Sequence, residues 1–265
     1  MTGEALFHRR GDLFRPSPLT TGPWRADAMH GGPPAALIGH QVLSTVGTGE
    51  YVARLNVEIE RPVPLRDLRA VVGRRDVSRR VAHVDVVLED GETGDRLSSA
   101  RALLLRRDPL PEPAWEAAET PLDPDAAGHV EMASWASGEL ATTYHQHAVE
   151  HRPVSPTTWG TGPMACWVRL RVPLIAGEDT PPLCRILAAA DFGSGVSSIF
   201  DVSAGVGLIN ADLSVALRRE PVGEWVLIDA ETNLEPDGSA LCTAVLSDER
   251  GRLGVSTQSL LGLTF

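Results

Sequence analysis

The 265-residue sequence contains no lysine. All 24 of its basic residues are arginines, set against 35 acidic ones, and the formal net charge is −11. A surface so acidic argues against general nucleic-acid binding, which needs a basic face. It still allows an anionic small ligand wherever a few arginines gather. Cysteine is scarce too. Cys166, Cys184 and Cys242 are odd in number and stand at no metal-ligand spacing, which argues against a disulfide framework and a zinc site. They read as small apolar thiols in a reducing compartment. No apolar run is long enough to cross a bilayer, and none follows Met1 as a signal peptide would. The expectation is a soluble, cytoplasmic protein without a membrane span.

What the chain does have is an internal repeat. Residues 28–38 can be laid over residues 190–200, with Ala28 on Ala190, Gly31 on Gly193, and Leu37-Ile38 on Ile199-Phe200. Further on, Ala53, Leu55, Val57 and Arg61 fall on Ala211, Leu213, Val215 and Arg219. Near the end of each half, Arg96-Leu97 and Leu104-Leu105 fall on Arg252-Leu253 and Leu260-Leu261. The offset drifts only from 162 to 158 to 156, so small changes in turns account for it. A period of about half the chain implies two copies of one fold. At 43% hydrophobic residues the chain can bury one large core or two fused ones, and the repeat favours two.

Each copy reads as one helix against an antiparallel sheet. In the first, short strands at 6–10 and 12–16 turn at Gly11. A helix at about 32–46 carries Pro33 and Pro34 in its first turn, where a missing N–H does no harm. Strands are expected at 51–60, 66–77, 81–90 and 96–106, the alternation from Val81 to Leu88 being the clearest. Residues 107–141, rich in proline and acid, read as a linker between an N-terminal unit at 1–106 and a C-terminal unit at 142–265. In the second unit, strands at 144–152 and 166–172 precede a glycine-rich helix start at Asp191 to Gly195. Further strands follow at 207–219, 224–234, 239–248 and 252–264.

The copies differ in chemistry. Where the second has Asp191, Asn210 and Gln258, the first has Met29, Val52 and Ala102. A fold that accepts apolar side chains at these places does not need polar groups there, and buried polar groups are costly unless paired. Their presence in one copy points to a task. A plainer reading stands beside it: Asp191 as a helix N-cap, Gln258 facing solvent, Asn210 serving a bulge. His145 and His147, two apart, would share a strand face with no third ligand.

Ala190-Asp191, Asn210 to Ser214 and Ser256 to Gln258, in this order, resemble the active-site motifs of the acyl-CoA thioesterase II (TesB-like) family. The resemblance implies an α+β architecture of two fused hotdog folds, each an antiparallel sheet wrapped around a central helix. It implies thioester hydrolysis by a water that Asp191, Asn210 and Gln258 hold, with Asn210 departing from the family's threonine or serine. His30, Gly31, Gly32, Phe192 and Gly193 are expected to bind substrate, the glycine N–H groups meeting the oxyanion. Phe192, Val196 and Phe200 are candidates for the acyl pocket. The paired arginines 74-75, 79-80, 106-107 and 218-219 are candidates for coenzyme A phosphates. No metal or other cofactor is required, the partner is an acyl-CoA substrate, and assembly into homodimers or larger is expected. Two alternatives remain: a non-catalytic acyl-CoA binder, and a hotdog hydratase or dehydratase in which His30 pairs with an aspartate.

Overall fold

A computed structural model of the chain describes residues 4–23, 25–108, 110–111, 120, 122–127, 142–156, 160–200 and 205–264. Most of the expected linker therefore lies outside the described residues. The first half runs β1 (Phe7–Arg10), β2 (Leu13–Pro16), α1 (Gly32–Leu43), β3 (Glu50–Ile59), β4 (Leu68–Ser78), β5 (Val81–Asp90) and β6 (Arg96–Arg106). The second runs β7 (Val149–Ser155), β8 (Met164–Leu170), α2 (Pro182–Ala190), α3 (Gly193–Val196), β9 (Val206–Asn210), β10 (Asp212–Leu217), β11 (Val226–Leu234), β12 (Ser239–Asp248) and β13 (Gly251–Thr264). The alternation in β5 has a direct cause: Ala82, Val84, Val86 and Leu88 are buried beneath α1 while their neighbours face outward. Among the described residues no helix is long and apolar enough to cross a membrane.

The strands form one antiparallel sheet in the order β1-β2-β4-β5-β6-β3-β10-β13-β12-β11-β8-β7, with β9 on β13. Read from the middle outward, the two halves mirror each other, so a pseudo-two-fold axis passes between β3 and β10. Leu55 faces Val215 and Val57 faces Leu213 across that junction, with Asn56 opposite Ser214 between them. These are the residues that the offset of 158 makes equivalent, since 213 − 55 and 215 − 57 both equal 158. The repeat and the register agree. The halves share one continuous apolar cluster from Leu6 to Leu260, instead of the two cores that the repeat favours.

The helices cross antiparallel inside the sheet. Glycine sets how close they come: a Cβ on Gly39 would lie 2.3 Å from Leu187 Cδ1, and one on Gly32 would lie 2.5 Å from the Ala188 carbonyl oxygen. α2 starts at Pro182 behind Pro181 and ends at Asp191. The expected helix start at Asp191 is thus a helix end: Asp191 is the C-terminal cap of α2, and the chain turns through Phe192 into the single turn of α3. The overlay of Asp191 on Met29 fails for that reason, because Met29 precedes its helix. Residues 144–148 also differ from expectation. They coil into one wide turn before β7, so His145 and His147 do not share a strand face, and among the described residues no cluster could hold a metal ion.

Gly32→Ala sets a rigid backbone oxygen against the new methyl. It is expected to cost about 1–3 kcal/mol, read as a lower denaturation midpoint in urea. Gly73→Ala on β4, with no atom within 4 Å of its would-be Cβ, is the control and should leave the midpoint unchanged or raise it.

Candidate active site

The turn from α2 to α3 delivers the Asp191 carboxylate to the N-terminal end of α1, which belongs to the other half. A Cβ on Gly31 would lie 2.7 and 2.8 Å from the two carboxylate oxygens, so only glycine leaves room for them. Asp191 is 7% exposed, and both of its oxygens are engaged. Oδ1 accepts from Asn210 Nδ2 at 2.7 Å and, at 3.5 Å, from Gln258 Nε2. Oδ2 lies 2.7 Å from His30 Nδ1. Three side chains that are far apart in sequence, His30, Asn210 and Gln258, therefore meet around one carboxylate.

Gln258, 1% exposed, is fixed at both ends. Its Nε2 donates to the Asp191 carbonyl oxygen at 3.2 Å, and its Oε1 accepts from the Ser194 N–H at 3.0 Å. With its amide bonded to the backbone at both ends, Gln258 holds the α2–α3 turn in place. Two of the three overlays that set the halves apart are kept in the register. Asn210 pairs with Leu260 as Val52 pairs with Leu104, and Gln258 sits on β13 where Ala102 sits on β6. Asp212, matched to the same motif, accepts from Ser259 N–H at 2.6 Å and serves the sheet.

Asp191, Asn210, His30 and Gly31 line a cavity of about 630 Å³, within the usual range for small-molecule sites. Met29, Val57, Ile59, Leu208, Leu213 and Leu263 give it apolar walls, and Arg25, Glu60 and Arg61 also border it. Because Pro33 and Pro34 have no N–H, the first turn of α1 offers only the N–H groups of Gly31 and Gly32. A helix N-terminus carries partial positive charge, and here it faces the cavity through Gly31.

Of the expected substrate-binding residues, His30, Gly31 and Phe192 line the cavity, whereas Gly32 and Gly193 do not. Gly32 packs on Ala188 and Tyr144, and Gly193 on Gln258 and Cys242. Phe192 stacks on Tyr144 with centroids 5.5 Å apart and meets the His30 ring at 4.7 Å. Neither Val196 nor Phe200 reaches the cavity; Val196 is part of the core. The paired arginines are engaged elsewhere: Arg74, Arg80, Arg107 and Arg219 form ion pairs with Glu50, Asp108, Glu220 and Asp248. The sequence reading overlooked Arg25, Arg61 and the wall residues of β3 and β9. Ile209 on β9 and Leu263 on β13, both lining the cavity, are large apolar residues left 37% exposed.

Behind the site, Tyr144 Oη donates to the Ala188 carbonyl at 3.0 Å. Burial, helped by the Asp191 charge, pushes its phenol well above the ordinary range. Burial likewise pushes the His145 and His151 imidazoles down to about 3, with nearby histidines adding to the effect.

The sequence matches two family models, one described as the acyl-CoA thioesterase N-terminal domain over residues 20–106 and one as the acyl-CoA thioesterase C-terminal domain over residues 129–261. No curated protein matches it. Solved structures resemble it over nearly their whole length. A protein assigned as a thioesterase from Novosphingobium aromaticivorans DSM 12444 has a TM-score of 0.71 at 20% identity, covering 98% of this chain and 99% of that one. A protein with a hot dog fold from Alicyclobacillus acidocaldarius scores 0.70 at 14% identity, covering 98% and 96%. The acyl-CoA thioesterase II TesB2 of Mycobacterium marinum scores 0.65 at 17% identity, covering 99% and 94%. At such identities the likeness shows the fold, a double hotdog.

Two outcomes are expected from this geometry. Gln258→Ala, which copies the residue of the other half, strands the Ser194 N–H and the Asp191 carbonyl, and should lower stability by about 1–3 kcal/mol in chemical denaturation. Stability should also fall on acidification. His145 and His151 stay neutral in the fold down to about pH 3 but ionise at about 6.5 when unfolded. The unfolded chain therefore binds the extra protons, and stability is full above about pH 6.5 and declines below it. A thermal midpoint that stays level from pH 7 to pH 5 would contradict this.

Proposed function

Since the chain belongs to the acyl-CoA thioesterase family, we propose that it hydrolyses an acyl-CoA thioester to a carboxylic acid and free coenzyme A. The observation that carries this reading is a buried carboxylate, Asp191, fixed by Asn210 and His30 on the wall of an apolar cavity and beside a helix N-terminus. A thioester carbonyl is already electrophilic. It needs a placed water, a group to take a proton from that water, and donors for the oxyanion.

In this reading the acyl chain lies along Met29, Val57, Leu208 and Leu213, and the carbonyl oxygen turns toward the Gly31 N–H. Oxyanion donors of this kind are worth about 10²–10³ in rate. Asn210 differs from a hydroxyl in a useful way. Its Nδ2 is committed to Asp191, because a carboxylate only accepts, and that leaves its Oδ1 to accept a hydrogen bond from the attacking water. Asp191 is the negative end of the group that receives the proton. Arg25 and Arg61 border the same cavity and supply positive charge for the phosphates of the carrier.

The contact between His30 and Asp191 favours a second reading, addition of water to a 2-enoyl thioester, since that reaction also needs an acid and base pair over an apolar acyl site. Loss of the conjugated enoyl absorbance without thiol release would identify it.

Thiol release from acyl-CoAs of graded chain length tests the first reading. The protein's own thiols are buried, and burial pushes Cys166 and Cys184 up to about 12, so a disulfide reagent reports product alone. Asp191→Asn should cut kcat by about 10²–10⁴. Coenzyme A bound tightly by a wild-type protein that releases no thiol would point to a binder instead. Arg61→Ala should raise KM for acyl-CoA and leave acyl-pantetheine, which has no phosphates, unaffected; equal effects on both substrates would reject the role given to Arg61.

A further inference from the structure

We propose that His30 is the proton carrier of the site, its Nε2 taking the proton from the attacking water while Asp191 holds the ring through Nδ1; this rests on the hydrolysis reading. Three observations lead there. Both Asp191 oxygens already accept from side chains, Oδ1 from Asn210 and Oδ2 from His30, so a proton taken up there would weaken the bonds that hold the carboxylate in place. His30 is placed differently. Its ring lines the cavity, and Nε2 is bonded by no described residue, nor is it among the buried polar atoms.

The second observation concerns Nδ1, which lies 2.7 Å from Asp191 Oδ2 and 3.2 Å from the Gly32 nitrogen. One nitrogen cannot donate to the first and accept from the second at once. With a lone pair on Nδ1, that lone pair would face a carboxylate at 2.7 Å, which is repulsive. Nδ1 therefore carries the hydrogen and donates to Asp191, and in a neutral ring that leaves the lone pair on Nε2. Gly32 N–H is at the same time released from the ring.

Third, the ring is packed on one side. It meets both Tyr144 and Phe192, which stack on each other, with centroids 5.0 and 4.7 Å away, and Phe192 in turn packs edge-on against His151 at 4.9 Å. The charged and titratable groups around it are Asp191, Tyr144, His145 and His151 on the protein side, and Arg25, Glu60 and Arg61 along the cavity.

The step balances without a further reactant. Water oxygen bonds to the carbonyl carbon as one water proton passes to Nε2, making an imidazolium that Asp191 stabilises. The tetrahedral intermediate collapses, the C–S bond breaks, and the proton on Nε2 goes to the departing sulfur. The products are a carboxylic acid and a thiol, and the imidazole is neutral again.

Two measurements test the proposal. Nitrogen-15 NMR of histidine-labelled wild-type protein should show His30 as the Nδ1–H tautomer; an Nε2–H tautomer overturns the proposal whatever the activity. His30→Gln and His30→Ala should lower kcat by about 10²–10⁴ with little change in KM. The acid limb of the kcat profile should go with them, and added imidazole should restore part of the activity to His30→Ala. If wild type releases thiol and His30→Gln keeps its kcat and pH profile, His30 is not the carrier and only this inference falls. If wild type releases no thiol from any acyl-CoA, the hydrolysis reading falls, and the role of His30 in it falls too.

Discussion

The close crossing of α1 and α2 is the constraint on which the site depends. Three glycines, the N-cap Gly31 and Gly32 and Gly39 of α1, have their would-be Cβ positions filled by atoms of the other half, the Asp191 carboxylate, the Ala188 carbonyl and Leu187. Any side chain there would push the helices apart. Separation would move the carboxylate away from the helix N-terminus and from His30 together. The packing that fills the core and the geometry of the site are thus one arrangement, fixed by what the sequence leaves out at three positions.

Duplication explains why one half could change. β3 and β10 pair about a pseudo-two-fold axis, Leu55 against Val215 and Val57 against Leu213, so both halves offer the sheet the same apolar edge. The polar residues lie off that edge. Val52 and Ala102 sit at the mirror positions of Asn210 and Gln258 and are buried as ordinary core. At the mirror position of the contact between α2 and Gly31, the end of α1 meets the chain ahead of α2, where His40 Nε2 lies 2.9 Å from Glu178. That pair is partly exposed, whereas Asp191 and His30 are enclosed. The same topology therefore yields a partly exposed histidine–carboxylate contact on one side and an enclosed one on the other.

The strands were legible in the sequence because each hotdog strand is half-buried and writes its face into an alternation, as Ala82 to Leu88 do. Asn210 and Gln258 were legible as polar residues where the repeat demands apolar ones. The placement of Asp191 was not. Small residues and glycines surround the α2–α3 turn, and a run of that kind reads equally as a helix start or a helix end; only the packing of Ala188 and Leu187 on α1 decides it. The contact between His30 and Asp191 joins two halves whose docking no local pattern encodes, and in the sequence His30 stood out only as an expected substrate contact and as the histidine that a hotdog hydratase would pair with an aspartate. The arginines at the cavity were missed for a related reason. Neighbouring arginines draw the eye, yet Arg74 and Arg219 are bound to Glu50 and Asp248, while Arg25 and Arg61 stand alone in sequence and meet only at the cavity.

The absence of lysine bears on the site's electrostatics. With a formal charge of −11, the surface repels an anionic carrier at long range, and the repulsion weakens beyond about 8–10 Å at ordinary salt. Binding must then rest on local charge. Arginine suits that role, because its planar donors can hold a phosphate in two bonds at once, which an ammonium cannot. Arg25 and Asp27 already form such a two-point pair at 2.9 and 2.7 Å, and Arg61 reaches Asp95 more loosely at 3.5 Å. A phosphate entering there exchanges one anionic partner for another, so the gain is modest and easily screened. In the proposed reading the apolar walls would supply most of the affinity, and the arginines would mainly set which end of the ligand faces outward. Selection of the carrier and recognition of the acyl chain would then be divided between the rim and the interior of a single cavity.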